Sequence, residues 1–119
     1  MIKMYGIPNC DIIKKAGAWF KQHSIPFELH DYKKEGITAE KLKGWSKLKG
    51  WETIFNKRST TWKEIMSKHN GAVTSEAEAI KIMQQHNSII KRPLIEINKD
   101  IIVGYDEAAY IEKILNAQK

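Results

Sequence analysis

What most constrains this chain is the order in which its hydrophobic period changes. Ile2-Lys3-Met4-Tyr5 reads as a short strand that ends at the loop Gly6-Ile7-Pro8-Asn9. Ile12, Ile13, Ala16, Trp19 and Phe20 then recur at helical spacing, which predicts a helix from Asp11 to about His23. Ser24-Ile25-Pro26 ends that helix, and Phe27 to Tyr32 alternates apolar with polar as a half-buried strand does. The last third returns to strands. Leu94 to Ile97, a turn at Asn98-Lys99-Asp100, and Ile101 to Gly104 read as a hairpin, and Asp106 caps a final helix through about Leu115.

The middle of the chain is helical. Thr38 is an N-cap for a helix whose Leu42, Trp45 and Leu48 form one stripe, and Gly50 closes it. Lys33 to Gly36 reads as a turn, and Trp51 to Phe55 as a short helical piece. Thr61 to Lys68 is a further helix with Trp62, Ile65 and Met66 inward. Ser75 and Glu78 make a capping box for a helix that runs to Gln85. The order is β-α-β, helices, then β-β-α. It predicts an α/β thioredoxin-like fold: a mixed four-stranded sheet with an all-helical insertion at about 38–88. A length of 119 residues favours a single domain spanning 1–119.

Composition narrows the function classes. No apolar run approaches the ~20 residues of a membrane helix. Met1 to Cys10 has no basic leader followed by an apolar run. One cysteine leaves no internal disulfide framework and no cysteine-pair zinc site. The expectation is a cytoplasmic protein of a reducing compartment, with no membrane partner. Twenty basic residues against 14 acidic give +6, and 18 of the 20 are lysines. Because the lysines are spread over many segments and only Arg58 and Arg92 are arginines, the charge argues against direct nucleic-acid binding. Those two arginines draw attention, since a guanidinium grips an oxyanion at two points and an ammonium does not.

Cys10 stands after a strand and loop, at a predicted helix start. The first amides of a helix lack partners and carry partial positive charge, and a thiol there is drawn toward the nucleophilic thiolate. Lys14 and Lys15 add positive charge one turn on, and Asp11 opposes it. The bland alternative is a small buried hydrophobe, the commoner state of a lone cysteine. The helix-start position weighs against it. Ile13 occupies the place where a C-x-x-C motif needs its second cysteine, so any redox turnover needs an outside thiol such as glutathione. Arg92-Pro93 directly precedes a strand, where a proline is tolerated. Arg58 lies in a polar loop before a helix, where a cation gains nothing from the helix dipole. Each arginine alone reads as a surface cation. Converging on Cys10, they would cradle an oxyanion beside a thiolate.

Tyr5 to Ala16, with Gly6-Ile7-Pro8-Asn9-Cys10 at its heart, resembles the thiol loop of the arsenate reductase ArsC family, in its Spx/YffB branch. His30-Asp31-Tyr32, Gly50-Trp51-Glu52, Asn56 to Trp62, Ile90 to Leu94 and Val103-Gly104-Tyr105 follow in the order of YffB-type members, so the resemblance covers nearly the whole chain. It implies a thioredoxin-like domain with a helical insertion. It also implies that Cys10 is the nucleophile, that Arg58 and Arg92 hold an anion and that Pro93 is the cis-proline of such folds. Lys14 stands where the reductases have another basic residue, and Asn9 joins the anion-binding set. Two departures count. Gly104 supplies no charge where the reductases carry a further arginine, which weighs against arsenate as the substrate. Ile13 weighs against a dithiol switch.

Two functions of different class follow from the resemblance. One is a glutathione-dependent monothiol reductase, with glutathione or glutaredoxin as the resolving partner, glutathione a co-substrate and no tightly bound cofactor. The other is an Spx-like regulatory protein that docks on RNA polymerase without catalysis. His23, His30, His69 and His86 share no metal-ligand spacing, so no metal is expected. Trp19, Trp45, Trp51 and Trp62 are expected to pack the insertion against the sheet, with Trp62 an alternative wall of the site. Tyr5 and Asp106 are minor site candidates.

Overall fold

Alternation and β-branched residues build the strands; amphipathic runs build the helices. The computed structural model describes residues 2–8, 10–66 and 73–116. The chain divides into two compact units, Met1–Asp31 with Arg92–Lys119, and Tyr32–Lys91. The second is the helical insertion, with wider bounds than the 38–88 read from the sequence.

The first unit holds one sheet. Strand β1 is Ile2–Gly6, β2 is Phe27–Asp31, β3 is Leu94–Ile97 and β4 is Asp100–Val103. Their order is β2-β1-β3-β4. β1 runs parallel to β2 and antiparallel to β3, and β3 and β4 form the hairpin. Helix α1, Asp11–Gln22, connects the parallel pair. One core fills this unit: Met4, Ile95 and Ile102 from the sheet, Ile13, Ala16, Trp19 and Phe20 from α1, and Tyr110 and Ile114 from the C-terminal helix. That helix was predicted as one piece. It starts as α7, Glu107–Tyr110, then widens into π-type turns over Ile111–Leu115.

The second unit is built from α2 (Tyr32–Glu35), α3 (Ala39–Lys49), α4 (Trp51–Ile54), α5 (Thr60–Met66) and α6 (Glu76–Gln85). Lys33 to Gly36, predicted as a turn, is the single helical turn α2 and its end. Thr38 caps α3 by accepting from the Lys41 amide, and Ser75 caps α6 by accepting from the Glu78 amide. Gly50, at φ 88°, ends α3 in the left-handed region that glycine tolerates.

Two inward assignments change. On α3 the buried residues are Leu42, Trp45 and Ser46. At 3.6 residues per turn Leu48 falls outside that arc, and it is 47% exposed. Met66, the last helical residue of α5, is 49% exposed. The tryptophans also divide differently from expectation. Trp19 packs inside the sheet unit against Phe20 and Tyr110, while Trp62 lies edge-on to Phe55 at 5.2 Å in the helical unit. No helix of the described residues is long and apolar enough to cross a membrane.

Candidate thiol site

The site begins with Gly6. A Cβ there would run into Ile13 Cδ1 and Cγ1, so any other residue would force the Ile13 side chain to shift where the first turn of α1 meets the end of β1. The chain then folds back tightly, and the Cys10 amide donates to the Ile7 carbonyl at 3.2 Å. Cys10 is the N-cap of α1, extended at φ −95° and ψ 131°. Its carbonyl accepts from the Ile13 and Lys14 amides, both at 3.1 Å. Its side chain makes no capping hydrogen bond. The thiol is half-buried, touching the sheet unit's core on one side.

Pairing register brings the second part of the site to the same end of the sheet. Tyr5 pairs with Leu94 across antiparallel strands, so Arg92-Pro93 lies at the end of the sheet from which the Cys10 loop departs. The Arg92-Pro93 peptide is cis, and Arg92 is half-buried. The Gly104 amide donates to the Pro93 carbonyl at 2.8 Å, and the Gly104 carbonyl accepts from the Tyr110 hydroxyl at 2.9 Å. Gly104 sits at φ 87° with open space around a notional Cβ. There is room for a side chain, but the backbone conformation opposes one.

The other predicted residues fall as follows. Lys14 is exposed, one turn into α1. Lys15, expected to act as a second cation toward the thiol, instead lies 4.7 Å over the Tyr105 ring. The Tyr105 hydroxyl donates to Glu107 Oε1 at 2.6 Å, and that bond is the main cause holding the phenol above its ordinary range. Arg58 belongs to the helical unit, exposed in the loop before α5, with its amide donating to Asn56 Oδ1 at 3.1 Å. Asn9 lies outside the described residues, as does His69. Two minor candidates have structural work. Tyr5 is buried in the sheet, its ring 4.8 Å from that of His30 and its hydroxyl donating to Glu96 at 3.3 Å. Asp106 caps α7 by accepting from the Ala109 amide. Among the described residues no cluster of three or more His, Cys, Asp or Glu is arranged to hold a metal ion.

One feature escaped the sequence. A cleft of ≈ 340 Å³ lies between α1 and β2, beside the thiol loop. Pro8, Gly17, Ala18, Phe27 and Leu29 line it, with Lys14 and Lys21 on α1. The signal was available: two lysines seven residues apart, with a small pair between them, share one helix face.

A sheet ordered β2-β1-β3-β4, with a thiol at the first helix start and a cis-proline ahead of β3, defines a thioredoxin-like α/β protein. A family model, the ArsC family, matches residues 5–113, and the chain belongs to that family. It is 37% identical to the solved YffB protein, with a TM-score of 0.88 over 94% of this chain and 97% of that one. An uncharacterized protein of Haemophilus influenzae is 34% identical over 92% of this chain and 96% of its own length. The global transcriptional regulator Spx of Staphylococcus aureus is 28% identical over 90% of this chain and 82% of its own.

Proposed function

We propose that this chain is a monothiol reductase of arsenate reductase-like build, with Cys10 as its nucleophile. The observation that carries the reading is the cap position of Cys10. A half-exposed thiol there makes no capping hydrogen bond, and it stands at the helix end that favours negative charge. Arg92, at the same end of the sheet, is the group to hold an anionic substrate. Arg58 and Lys14 carry the same proposed role on the family likeness alone, and Pro93 shapes the strand start.

In the reaction, the Cys10 thiolate attacks one sulfur of a disulfide substrate, the substrate S–S bond breaks, and its other sulfur leaves as thiolate. No second cysteine exists in the chain, so an external thiol must complete the cycle. Glutathione, directly or through glutaredoxin, is the proposed source. A glutathione thiolate attacks the substrate sulfur of the mixed disulfide, a glutathione–substrate S–S bond forms, the Cys10–substrate bond breaks, and Cys10 departs as thiolate. Gly104 removes a cation from the anion site, so the substrate favoured here is a disulfide rather than arsenate.

The test incubates the protein with glutathione disulfide and weighs the product by mass spectrometry. One glutathione added to the wild type, none to C10S, and release by free glutathione support the reading. A wild-type thiol that takes up no glutathione and turns over no disulfide sinks it. The likeness to Spx favours a second reading, a regulator that docks on RNA polymerase without catalysis. Polymerase binding that survives C10S, in a protein with no thiol turnover, is its signature.

A further inference from the structure

The cleft between α1 and β2 runs along α1 away from the thiol, which does not itself line it. It is bordered by Pro8, two residues before Cys10, and reaches Lys21 near the far end of α1. At a rise of about 1.5 Å per residue, Lys21 stands about 16 Å along the helix from Cys10. That span matches about five residues of extended chain.

Its lining has two parts. The floor is apolar, from Ala18 and Gly17 on α1 to Phe27 and Leu29 on β2, and Leu29 is 37% exposed. The helix side carries Lys14 and Lys21, both exposed, and no carboxylate lines the cleft. The one acid of α1, Asp11, precedes Lys14 at the helix start. On β2, Glu28 points to the other face by strand alternation, and Asp31, which shares the face of Phe27 and Leu29, stands past the cleft lining at the strand's end beside Gly6. β2 is the outermost strand of the sheet. An outer strand beside an apolar floor suits an extended peptide, and the lysines select acidic residues along it.

We infer that this cleft is a docking channel for an extended acidic segment of a protein partner, which delivers a disulfide to Cys10. The inference rests on Cys10 being the nucleophile proposed above, and it narrows the substrate from any disulfide to a protein one. The exchange balances without an added oxidant. Cys10 Sγ bonds to one partner sulfur, the partner S–S bond breaks, and the other partner sulfur leaves as thiolate.

The experiment uses the full chain and two synthetic probes, Glu-Leu-Glu-Val-Cys and Lys-Leu-Lys-Val-Cys, each as a mixed disulfide with thionitrobenzoate. A third probe, with no charge beyond the thionitrobenzoate carboxylate that all three share, is the thionitrobenzoate disulfide of mercaptoethanol. Thionitrobenzoate release reports attack by Cys10. The acidic peptide is expected to react about tenfold faster than the basic one at low salt. Lys21→Glu should erase that preference and leave the mercaptoethanol probe unchanged. Lys99→Glu, exposed in the β3–β4 turn across the sheet from β2, controls for the overall charge and should change the preference by less than about twofold. Equal rates for the two peptides, or equal effects of the two reversals, overturn the docking channel while leaving the reductase standing. If none of the three disulfides reacts, the reductase reading fails. The channel is then judged on C10S by fluorescence anisotropy of labelled Glu-Leu-Glu-Val-Ser. Binding weakened about tenfold by Lys21→Glu upholds it, and binding indifferent to that change overturns it.

Discussion

The two units of this protein carry charge differently. In the sheet unit, 8 basic residues meet 8 acidic ones, whereas the helical unit holds 12 basic against 6 acidic. The whole +6 of the chain is therefore a property of the insertion. The helix starts diverge residue by residue: Asp106 caps α7 in the sheet unit, and Gly50 gives α4 in the helical unit no side-chain cap. Thr38 and Ser75 in the helical unit each satisfy an amide at the head of their helix. Cys10, at the head of α1, satisfies none with its side chain. A helix start left uncapped by its own residue forgoes stability, and such departures from local optimum mark functional positions.

The largest test of this contrast is Cys10→Ser, which should reduce thiol chemistry to the reagent background. Disulfide turnover measured on the folded variant decides it, and retained turnover would remove Cys10 from the centre of the account. Next come the cores. Phe20→Ala in the sheet unit and Trp45→Ala in the helical unit should each cost about 3–5 kcal/mol in urea unfolding, since both side chains are fully or nearly fully buried. A much smaller loss for Trp45 would mean that the helical unit is held chiefly by other contacts.

Gly104→Ala should cost about 1–2 kcal/mol, because φ 87° is unfavourable for any residue with a Cβ although space is open. A neutral result would make the absent charge, not the backbone, the reason for glycine. The caps give a sign reversal. Ser75→Ala should destabilise by about 1 kcal/mol, whereas Cys10→Ser should stabilise by a similar amount by supplying the missing cap acceptor. If Cys10→Ser destabilises, the thiol has a packing role that outweighs its cap position.

The smallest effect is in alkali. Burial is the main cause raising the Tyr110 phenol well above the ordinary 10.0. The unfolded chain ionises first, so this contribution to stability is complete below pH 10 and falls as pH rises beyond it. Tyr110→Phe should flatten that fall in pH-dependent unfolding, after losing the hydrogen bond to the Gly104 carbonyl at every pH. An unchanged slope would assign the alkaline loss to other groups.

Much of this was legible in the residues. The order of periods gave the four strands and α1, and the short polar side chains Thr38, Ser75 and Asp106 marked the helix starts they cap. Cys10 was legible as a helix-start thiol because loop, cap and first turn lie within a few residues of one another. Such signals are local, and local sequence determines them. The tertiary structure alone decided which way side chains with two options turned. Lys15 went to Tyr105, 90 residues later in sequence, and Tyr5 to Glu96, 91 residues later. Leu48 faced outward once Leu42, Trp45 and Ser46 had set the buried arc. The cleft beside the thiol likewise needed α1 laid against β2. Contacts between distant segments depend on register and packing, which no window of neighbouring residues contains.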